Sequence, residues 1–475
     1  MSGISPTDDE LQITAQKLRE TNPTLGISKL LAQLKIDHPE WTVSEKRFKK
    51  FITPTTAITG NDSTNGGEKK KVSNGGAGGG GEDELIAKTG IDHSIDIANI
   101  APKVKVKMFN IEGKGKGLVA KEKLQKGELL WQEEPWIVTT DPDLWPYLTS
   151  REMCTQCLTL FDSASSLSLS VMCKFCGEAQ FCNRICYQKA TRTSGAHNEF
   201  LCSGQNKSIS PLLKFIKEKK NRDLQGVVRI LSQFRKIRDF DSSPEHKDRL
   251  LKELENRVWN SMARISQKVK EEERREWPYI AEDRLEEWRL THLLILRALN
   301  PSPEDESFVS FQQFLKSKSK KVVPLTKEEE ERWFSYDSFL ELLGLIGLNQ
   351  ESSGGLYALH SHLNHNCDPN LQVRNLPKTW TPPTSEELPA ELPSPMTAEN
   401  RGTNKISIIV KKTVHPGDEL FISYVNQNLS RDERRSKLRE QYGFWCFCNR
   451  CNKEKKLEDK EKEQAQQTAP SQRLR

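Results

Sequence analysis

The chain has no run of about 18 apolar residues, the length a helix needs to cross a bilayer, so no membrane-spanning helix is expected. Its first residues lack a basic stretch followed by an apolar one, and a secretory leader is not expected either. A large net charge is also missing: 72 Lys and Arg against 66 Asp and Glu leave +6 over 475 residues. That balance suits an acidic or chromatin-associated setting without arguing for direct DNA contact. An even, evenly spread cysteine set is absent too. The 11 cysteines are odd in number and clustered, which argues for reduced thiolates on metal rather than a disulfide framework. What is present, 35% hydrophobic and 29% charged residues, describes a globular chain with long polar stretches and room for two to four domains.

Residues 1–53 read as a small helical unit. Ser5-Pro6-Thr7-Asp8 is a helix start, with proline near the first turn and acids beside it, and Leu11, Ala15 and Leu18 follow at helical spacing. A second helix is expected over 28–35 with Leu30, Leu31 and Leu34 inward, and a third over 44–51 with Phe48 and Phe51 a turn apart. The basic residues Lys46, Arg47, Lys49 and Lys50 suit a solvated face, the favoured reading, or a DNA-reading module. Residues 54–101 read as a flexible Gly/Ser-rich linker. Val104, Val106 and Met108 then alternate with lysines as a half-buried strand does. Leu118-Val119-Ala120 and Leu129-Leu130-Trp131 flank a turn at Gln125-Lys126-Gly127. From 205 to 345 the chain reads as helical, with stripes at Leu212, Phe215, Ile216, at Leu250, Leu254, Val258 and at Leu290, Leu293, Leu294, Leu296. Trp259, Trp277, Trp288 and Trp333 read as packing residues, and the charged run 268–276 as a solvated face. Residues 375–404 read as a proline-rich surface loop, and 453–475 as a disordered charged tail.

Cysteine is densest within 154–202, which holds Cys154-x-x-Cys157, Cys173-x-x-Cys176, Cys182-x-x-x-Cys186 and His197-x-x-x-x-Cys202. Eight such donors suit two tetrahedral sites, since structural zinc takes four Cys or His ligands. His197 alone would be an ordinary core histidine; its place among cysteines favours ligation. The spacing, over 150–204, resembles the MYND finger. That resemblance implies one zinc on Cys154, Cys157, Cys182 and Cys186, a second on Cys173, Cys176, His197 and Cys202, and either a proline-rich peptide as the finger's partner or a purely structural finger. The closing His-x4-Cys step is one residue longer than the usual MYND spacing.

The remaining chemistry gathers around Asn364-His365-x-Cys367-x-Pro369-Asn370, which sets amide, imidazole and thiol side chains together just after an apolar run. No amphipathic periodicity needs that string; by itself it reads equally as a polar turn with a stray cysteine. Further on stand Gly417-Asp418-Glu419-Leu420-Phe421-Ile422-Ser423-Tyr424 and Tyr442-Gly443-Phe444-Trp445-Cys446-Phe447-Cys448-Asn449-Arg450-Cys451. Upstream is Gly113-Lys114-Gly115-Lys116-Gly117, followed by strand-like residues, so the phosphate-binding fingerprint, which needs a helix there, does not apply. These four stretches, in this order, resemble the SET domain of protein lysine methyltransferases, and the plan of a SET domain split by a MYND finger resembles the SMYD-type proteins. The short stretch after Cys451, with the helical N-terminal unit and glycine linker, is similar to the fungal Set-five-type branch.

The resemblance implies an α+β fold of several small sheets with a pseudo-knotted core, interrupted by the finger and a helical insert. It assigns 102–140 to the first part of the SET domain, 346–445 to its catalytic core and 446–452 to a post-SET zinc segment. It implies a third zinc on Cys367, Cys446, Cys448 and Cys451. It implies S-adenosylmethionine as cofactor, held by Lys114, Gly115, Lys116, Gly117, Ser361, Asn364, His365, Tyr424 and Phe444. Tyr424 and Tyr442 are the implied catalytic residues, Tyr424 aiming a lysine amine at the methyl group. Tyr357 reads as core. The implied activity is lysine methylation of a histone or other basic protein, with the tail of histone four favoured, in the nucleus or also the cytoplasm. The alternative is a non-catalytic MYND/SET protein that recruits partners to chromatin.

Overall fold

The computed structural model describes residues 6–21, 27–39, 41–44, 47–48, 85, 87–111, 114–161, 167–241, 243–273, 280–319, 321–377 and 401–468. The chain divides into two compact units, Met1–Gly79 and Gly80–Arg475. In the first, helices Asp8–Thr21 and Ile27–Asp37 bury Leu11, Ala15, Leu18, Leu30, Leu31 and Leu34 against one another and Phe48. Thr7 and Glu10 exchange bonds across the first helix start: Glu10 N donates to Thr7 Oγ1 (3.3 Å) and Thr7 N to Glu10 Oε2 (2.8 Å), a capping box. Of the third helix expected over 44–51, only Arg47 and Phe48 lie among the described residues of its helical part.

Twelve strands are described in the second unit: β1 (Val104–Ile111), β2 (Lys114–Ala120), β3 (Leu129–Glu133), β4 (Ile137–Val138), β5 (Val171–Met172), β6 (Gln180–Phe181), β7 (Gln350–Glu351), β8 (Gly355–Leu356), β9 (Asn364–His365), β10 (Leu371–Arg374), β11 (Ile406–Val410) and β12 (Glu419–Ile422). They form small sheets in the orders β1-β2-β12-β9, β10-β11-β3, β4-β8-β7 and β5-β6. All pairs are antiparallel except β12 with β9, where Phe421 faces Asn364 and Ile422 faces His365. That parallel pair, reached by a connection of more than fifty residues, brings the Asn-His string beside the strand that leads to Tyr424. Strand β2 is central and buried from Lys116 to Ala120, which is why its Leu-Val-Ala end is continuously apolar. In β1, Val104 is buried and Val106 half-buried between exposed lysines, but Met108 is exposed on the outer strand. The turn at Gly127 (φ 87°) forms where the sequence places it.

The helical insert has its own apolar core around Arg222–Phe240, Glu282–Leu299 and Tyr336–Asn349, in which Trp259, Trp288 and Trp333 are buried. Trp277 lies outside the described residues. Three sequence expectations are corrected. On Glu282–Leu299 the buried face is Trp288, Thr291, Ile295, Ala298 and Leu299, while Leu290 and Leu293 are exposed; four leucines crowd one stretch, and hydrophobicity alone mis-sets the rotation. In the charged run 268–276, Lys270 and Glu271 are buried, Glu271 held by Arg284 (2.9 Å). The linker expected over 54–101 ends early. Leu85 N donates to Gly443 O (3.1 Å), Lys88 bridges to Arg264, and Asp92 is buried, so these residues are part of the second unit; residues 54–84 lie outside the described ones.

The tail is likewise corrected: Asn449–Thr468 is helical where 453–475 reads as disordered. Its Glu454 and Glu458 meet Arg434 and Arg431 of helix Arg431–Tyr442, and Arg450 pairs with Glu454 at i, i+4 along the helix. Most of the proline-rich loop over 375–404 lies outside the described residues. No helix among the described residues is long and apolar enough to cross a membrane.

Candidate active site and metal centres

A short 3-10 turn, His360–His362, leads into β9, which is the Asn364-His365 pair itself. Asn364 and His365 face β12 in the parallel register, and two residues beyond β12 stands Tyr424. Tyr424 N donates to His365 Nδ1 (3.1 Å) and Tyr424 Oη donates to Leu363 O (2.6 Å). His365 Nε2 lies 3.3 Å from Cys367 Sγ. With Nδ1 accepting, the single proton of a neutral imidazole belongs on Nε2, aimed at that sulfur. Burial holds His365 down to about 4, so the ring is neutral at physiological pH. Helix Arg431–Tyr442 ends on Gly443 in the left-handed conformation (φ 82°), a position where a side chain is strained. The reversal there lays Tyr442 against Tyr424 (ring centroids 4.7 Å) and turns Phe444 toward His365 (6.1 Å). Burial raises the phenol of Tyr424 well above its usual value and pushes Tyr442 up to about 12, so both remain neutral donors and neither serves as a base near pH 7.

The glycine strand β2 runs past the other side of Asn364. Asn364 Nδ2 donates to Lys116 O (2.8 Å) and to Glu419 Oε1 (2.8 Å), and the other Glu419 oxygen takes Lys114 Nζ. A Cβ on Gly117 would stand 2.6 Å from Phe109 Cε2, 2.9 Å from Asn364 Nδ2 and 3.0 Å from Glu419 Oε1, so glycine here makes room for the Asn364 amide. The two lysines diverge. Lys114 goes to Glu419, while buried Lys116 donates to Ser261 O (2.6 Å). Burial pulls Lys116 down to about 7, partly opposed by Asp92. Asp92 N donates to His362 Nε2 (3.3 Å), and the Asp92 carboxylate holds Arg257 (2.7 Å). Ser361 Oγ donates to Ala358 O (2.8 Å) and braces the turn. A Cβ on Gly115 would meet Thr89 Cγ2 at 2.4 Å.

All eleven cysteines are free thiols, and with His197 they fall into three four-donor groups: Cys154, Cys157, Cys182, Cys186; Cys173, Cys176, His197, Cys202; and Cys367, Cys446, Cys448, Cys451. Within each group the ligand atoms lie within 4.8 Å of one another. Zinc–sulfur bonds of about 2.3 Å in a tetrahedron put neighbouring sulfurs about 3.8 Å apart. Cys157–Cys182 at 3.9 Å, Cys173–Cys202 at 3.7 Å and Cys367–Cys446 at 3.8 Å meet that requirement, and Cys176 Sγ–His197 Nε2 is 3.7 Å. The donors fit zinc in type, number and spacing. The two groups in the finger interleave along the chain, and these Cys-rich groups alternate with the small hairpin β5-β6 and helix Arg184–Arg192. The third group ties the core through Cys367 to the segment after Phe444.

The family model for the SET domain matches residues 115–425. This chain belongs to the SET-domain family. Among its relatives, Histone-lysine N-methyltransferase SET5 of Mycosarcoma maydis is 28% identical over 447 residues, 90% of this chain and 82% of that one. The protein of the same name from Yarrowia lipolytica is 25% identical over 458 residues, 95% of this chain and 84% of that one. A SET and MYND domain-containing protein of Dictyostelium discoideum is 28% identical over 144 residues, 27% of this chain and 35% of that one.

In this SET domain the structure gathers His365, Tyr424, Tyr442 and Phe444 into one aromatic cluster, and Lys114, Gly117 and Asn364 around one carboxylate. It does not bring Lys116 to Lys114. Sequence reasoning missed Glu419, the residue that joins Lys114 to Asn364, although it lies within the Gly417–Tyr424 stretch. It also missed Glu133, half-buried on β3, whose carboxylate accepts from Leu359 N (2.8 Å) and His360 N (3.0 Å) and so fixes the turn before β9. Nothing in the local pattern marks either: one reads as a strand-end acid, the other as part of a Glu-Glu pair.

Proposed function

We propose that this chain is an S-adenosylmethionine-dependent protein lysine N-methyltransferase that acts on a histone tail, the tail of histone four foremost, in the nucleus. The observation that carries the reading is the pairing of β9 with β12, which sets neutral His365 between Tyr424 and Phe444 and lays Tyr442 on Tyr424. The relatives named histone-lysine methyltransferases over most of this chain's length support the substrate class.

When bound, the cofactor supplies a sulfonium methyl group open to in-line displacement. The chain's residues do the rest. Asn364, the backbone of Lys114–Gly117, Ser361 and Lys116 form the side that holds the cofactor, Lys116 taking its carboxylate. A lysine amine must arrive unprotonated against an ordinary pKa of about 10.4, and a wall of neutral aromatic rings disfavours the ammonium. Tyr424 Oη orients the amine, and Tyr442 closes the same wall. The proton lost by the amine goes to water; neither tyrosine takes it, because both phenols are held above the neutral range. Cys367, as a ligand of the third zinc, accepts from His365 Nε2 and thereby keeps Nδ1 free to hold Tyr424 N. The finger is the module that meets a partner, a proline-rich peptide in the related fingers.

The test is transfer of labelled methyl from S-adenosylmethionine to purified core histones by zinc-replete protein, wild type beside Tyr424→Phe. Label on one histone that falls by two or more orders of magnitude in the variant supports the reading, and mass spectrometry then names the lysine. No label on histones or on whole-cell extract, together with no cofactor binding, overturns it in favour of a partner-recruiting protein.

A further inference from the structure

A cavity of about 430 Å³ lies outside the aromatic cluster, between the finger and helices Ser210–Glu218 and Arg222–Phe240. Its volume is in the range of small-molecule sites. Much of the wall is apolar, with Trp145, Leu148, Leu201, Leu213, Ile216 and Val228 contributing. One side carries Arg229, only 6% exposed. Arg229 Nη1 donates to Val138 O (2.5 Å) and, at 3.3 Å, to Gln225 Oε1. Among the described residues no carboxylate pairs with it, and no hydrogen bond engages its Nε or Nη2.

That is unusual within this molecule. Arg235 and Arg434 are as deeply buried, and each holds a carboxylate, Asp239 at 2.6 Å and Glu454 respectively. A buried cation is costly unless it is paired. Burial, unopposed by any nearby anion, pulls Arg229 down to about 9. His197 also lines the cavity, so a zinc-loaded finger centre brings some negative charge near, but none of that centre's atoms accepts from Arg229. At the mouth stand exposed Arg151 and Lys217 against a single acid, Glu178, which leaves the entrance net positive.

We infer that this cavity binds an amphipathic monocarboxylate, the carboxylate on the free donors of Arg229 and the apolar body against Leu213, Ile216 and Val228. An Arg guanidinium takes a carboxylate through two parallel N–H···O bonds, and Arg229 has donors to spare for that. The occupant's chemistry is shared by a medium-chain fatty acid and by the free C-terminus of a peptide ending in apolar residues. The site lies apart from Tyr424 and does not depend on methyl transfer.

The test uses the zinc-loaded full chain and calorimetric titration with two probes, octanoate and acetyl-Leu-Leu bearing a free carboxylate, each beside its amide. Saturable binding of at least one acid with Kd below about 1 mM, and binding of its amide weaker by about tenfold or more, supports the proposal. Octanoate alone points to a free fatty acid, the dipeptide alone to a chain terminus. Arg229→Met keeps the side-chain volume and removes the donors; Leu213→Trp fills the cavity and leaves Arg229 intact. Both variants lose the binding if the proposal holds, and Leu213→Trp decides it if Arg229→Met fails to fold. Failure of both acids to bind the wild type, equal binding of an acid and its amide, or unchanged binding by Leu213→Trp overturns the proposal.

Discussion

Cys448→Ser removes one ligand of the third metal group at nearly constant volume, and the structure states what should follow. The segment after Tyr442 reaches the core through Arg450 Nη1 to Cys367 O (3.0 Å), through Arg431 to Glu458 (2.6 Å), through Arg434 to Glu454 and through the four thiols. Arg434 is buried and Arg431 largely so, but their carboxylates are about a third exposed, so each pair contributes less than the about 3–5 kcal/mol lost on breaking a fully buried one. A structural zinc contributes on the order of 10 kcal/mol or more. The metal therefore outweighs the other ties, and without it the wall formed by Tyr442 and Phe444 loses its anchor. Cys367 would also revert from metal thiolate to thiol, weakening the bond from His365 Nε2 that sets the tautomer holding Tyr424 N. The expected result is a fall from three zinc ions per chain to two, with methyl transfer lost and the finger's two ions retained. Elemental analysis of the purified variant beside a histone methylation assay checks both. Three retained ions, or two ions with wild-type activity, would refute the reasoning.

Gly117→Ala puts a methyl group within 3 Å of Phe109, Asn364 and Glu419; overpacking of this kind costs about 1–3 kcal/mol, and it should raise the KM for cofactor as well as lower Tm, whereas an unchanged KM would mean that Asn364 is not a cofactor ligand. Glu133→Gln keeps one acceptor oxygen for Leu359 and His360 but sets an amide donor against a backbone N–H in place of the second. A loss of about 1–3 kcal/mol by urea unfolding is expected, and a loss near zero would free the turn from dependence on Glu133. Lys116 provides a pH test. Burial lowers it from 10.5 to about 7, so between those values the unfolded chain binds more protons than the folded one, and stability rises with pH across that window. Unfolding at about pH 7 and pH 9.5 should show a rise in wild type that is smaller in Lys116→Met, in which neither His362, held down to about 3, nor Asp92, held ionised by Arg257 against its burial, takes over the titration; an identical slope in the variant would sink the assignment.

How much of this was legible in advance follows from where each signal is written. The donors from Cys154 to Cys202 were readable locally, because zinc demands particular residue types at short spacings, whereas their division into two groups and the third group, with Cys367 far from Cys446 in sequence, came from the family resemblance. Tyr424, Tyr442 and the Asn364-His365 pair were singled out by the family resemblance, and the fold brings them together. The rotation of Glu282–Leu299 was not readable, since Leu290, Leu293, Leu294 and Leu296 satisfy a helical stripe on the wrong face and only the neighbours at Trp288 and Ile295 decide it. The tail was misread for a related reason. Its composition lacks core residues, yet helix Asn449–Thr468 starts on the metal group at Cys451 and is tied by Arg431 and Arg434 from another helix.

The acids are the part that no local pattern carries. Glu419, Glu133 and Asp92 each join segments far apart in sequence: Glu419 joins Lys114 to Asn364, Glu133 holds the amides of Leu359 and His360, and Asp92 links Arg257 to His362. A carboxylate has up to four acceptor sites and no donors, so it suits the task of gathering N–H groups from separate strands. Its partners become evident only once the strands are paired. The aromatic residues of the cluster were therefore visible as motifs, whereas the carboxylates that fix the backbone beneath them were visible only in three dimensions. The same asymmetry makes a discriminating experiment. Tyr424→Phe keeps the ring and should act on turnover first, with a Tm loss no larger than that of its one hydrogen bond to Leu363 O, while substitutions at Glu133 should act on Tm first and on turnover only through the position of β9. If Glu133→Gln lowered turnover at unchanged Tm, the carboxylate would belong to the reaction itself rather than to the frame that holds it.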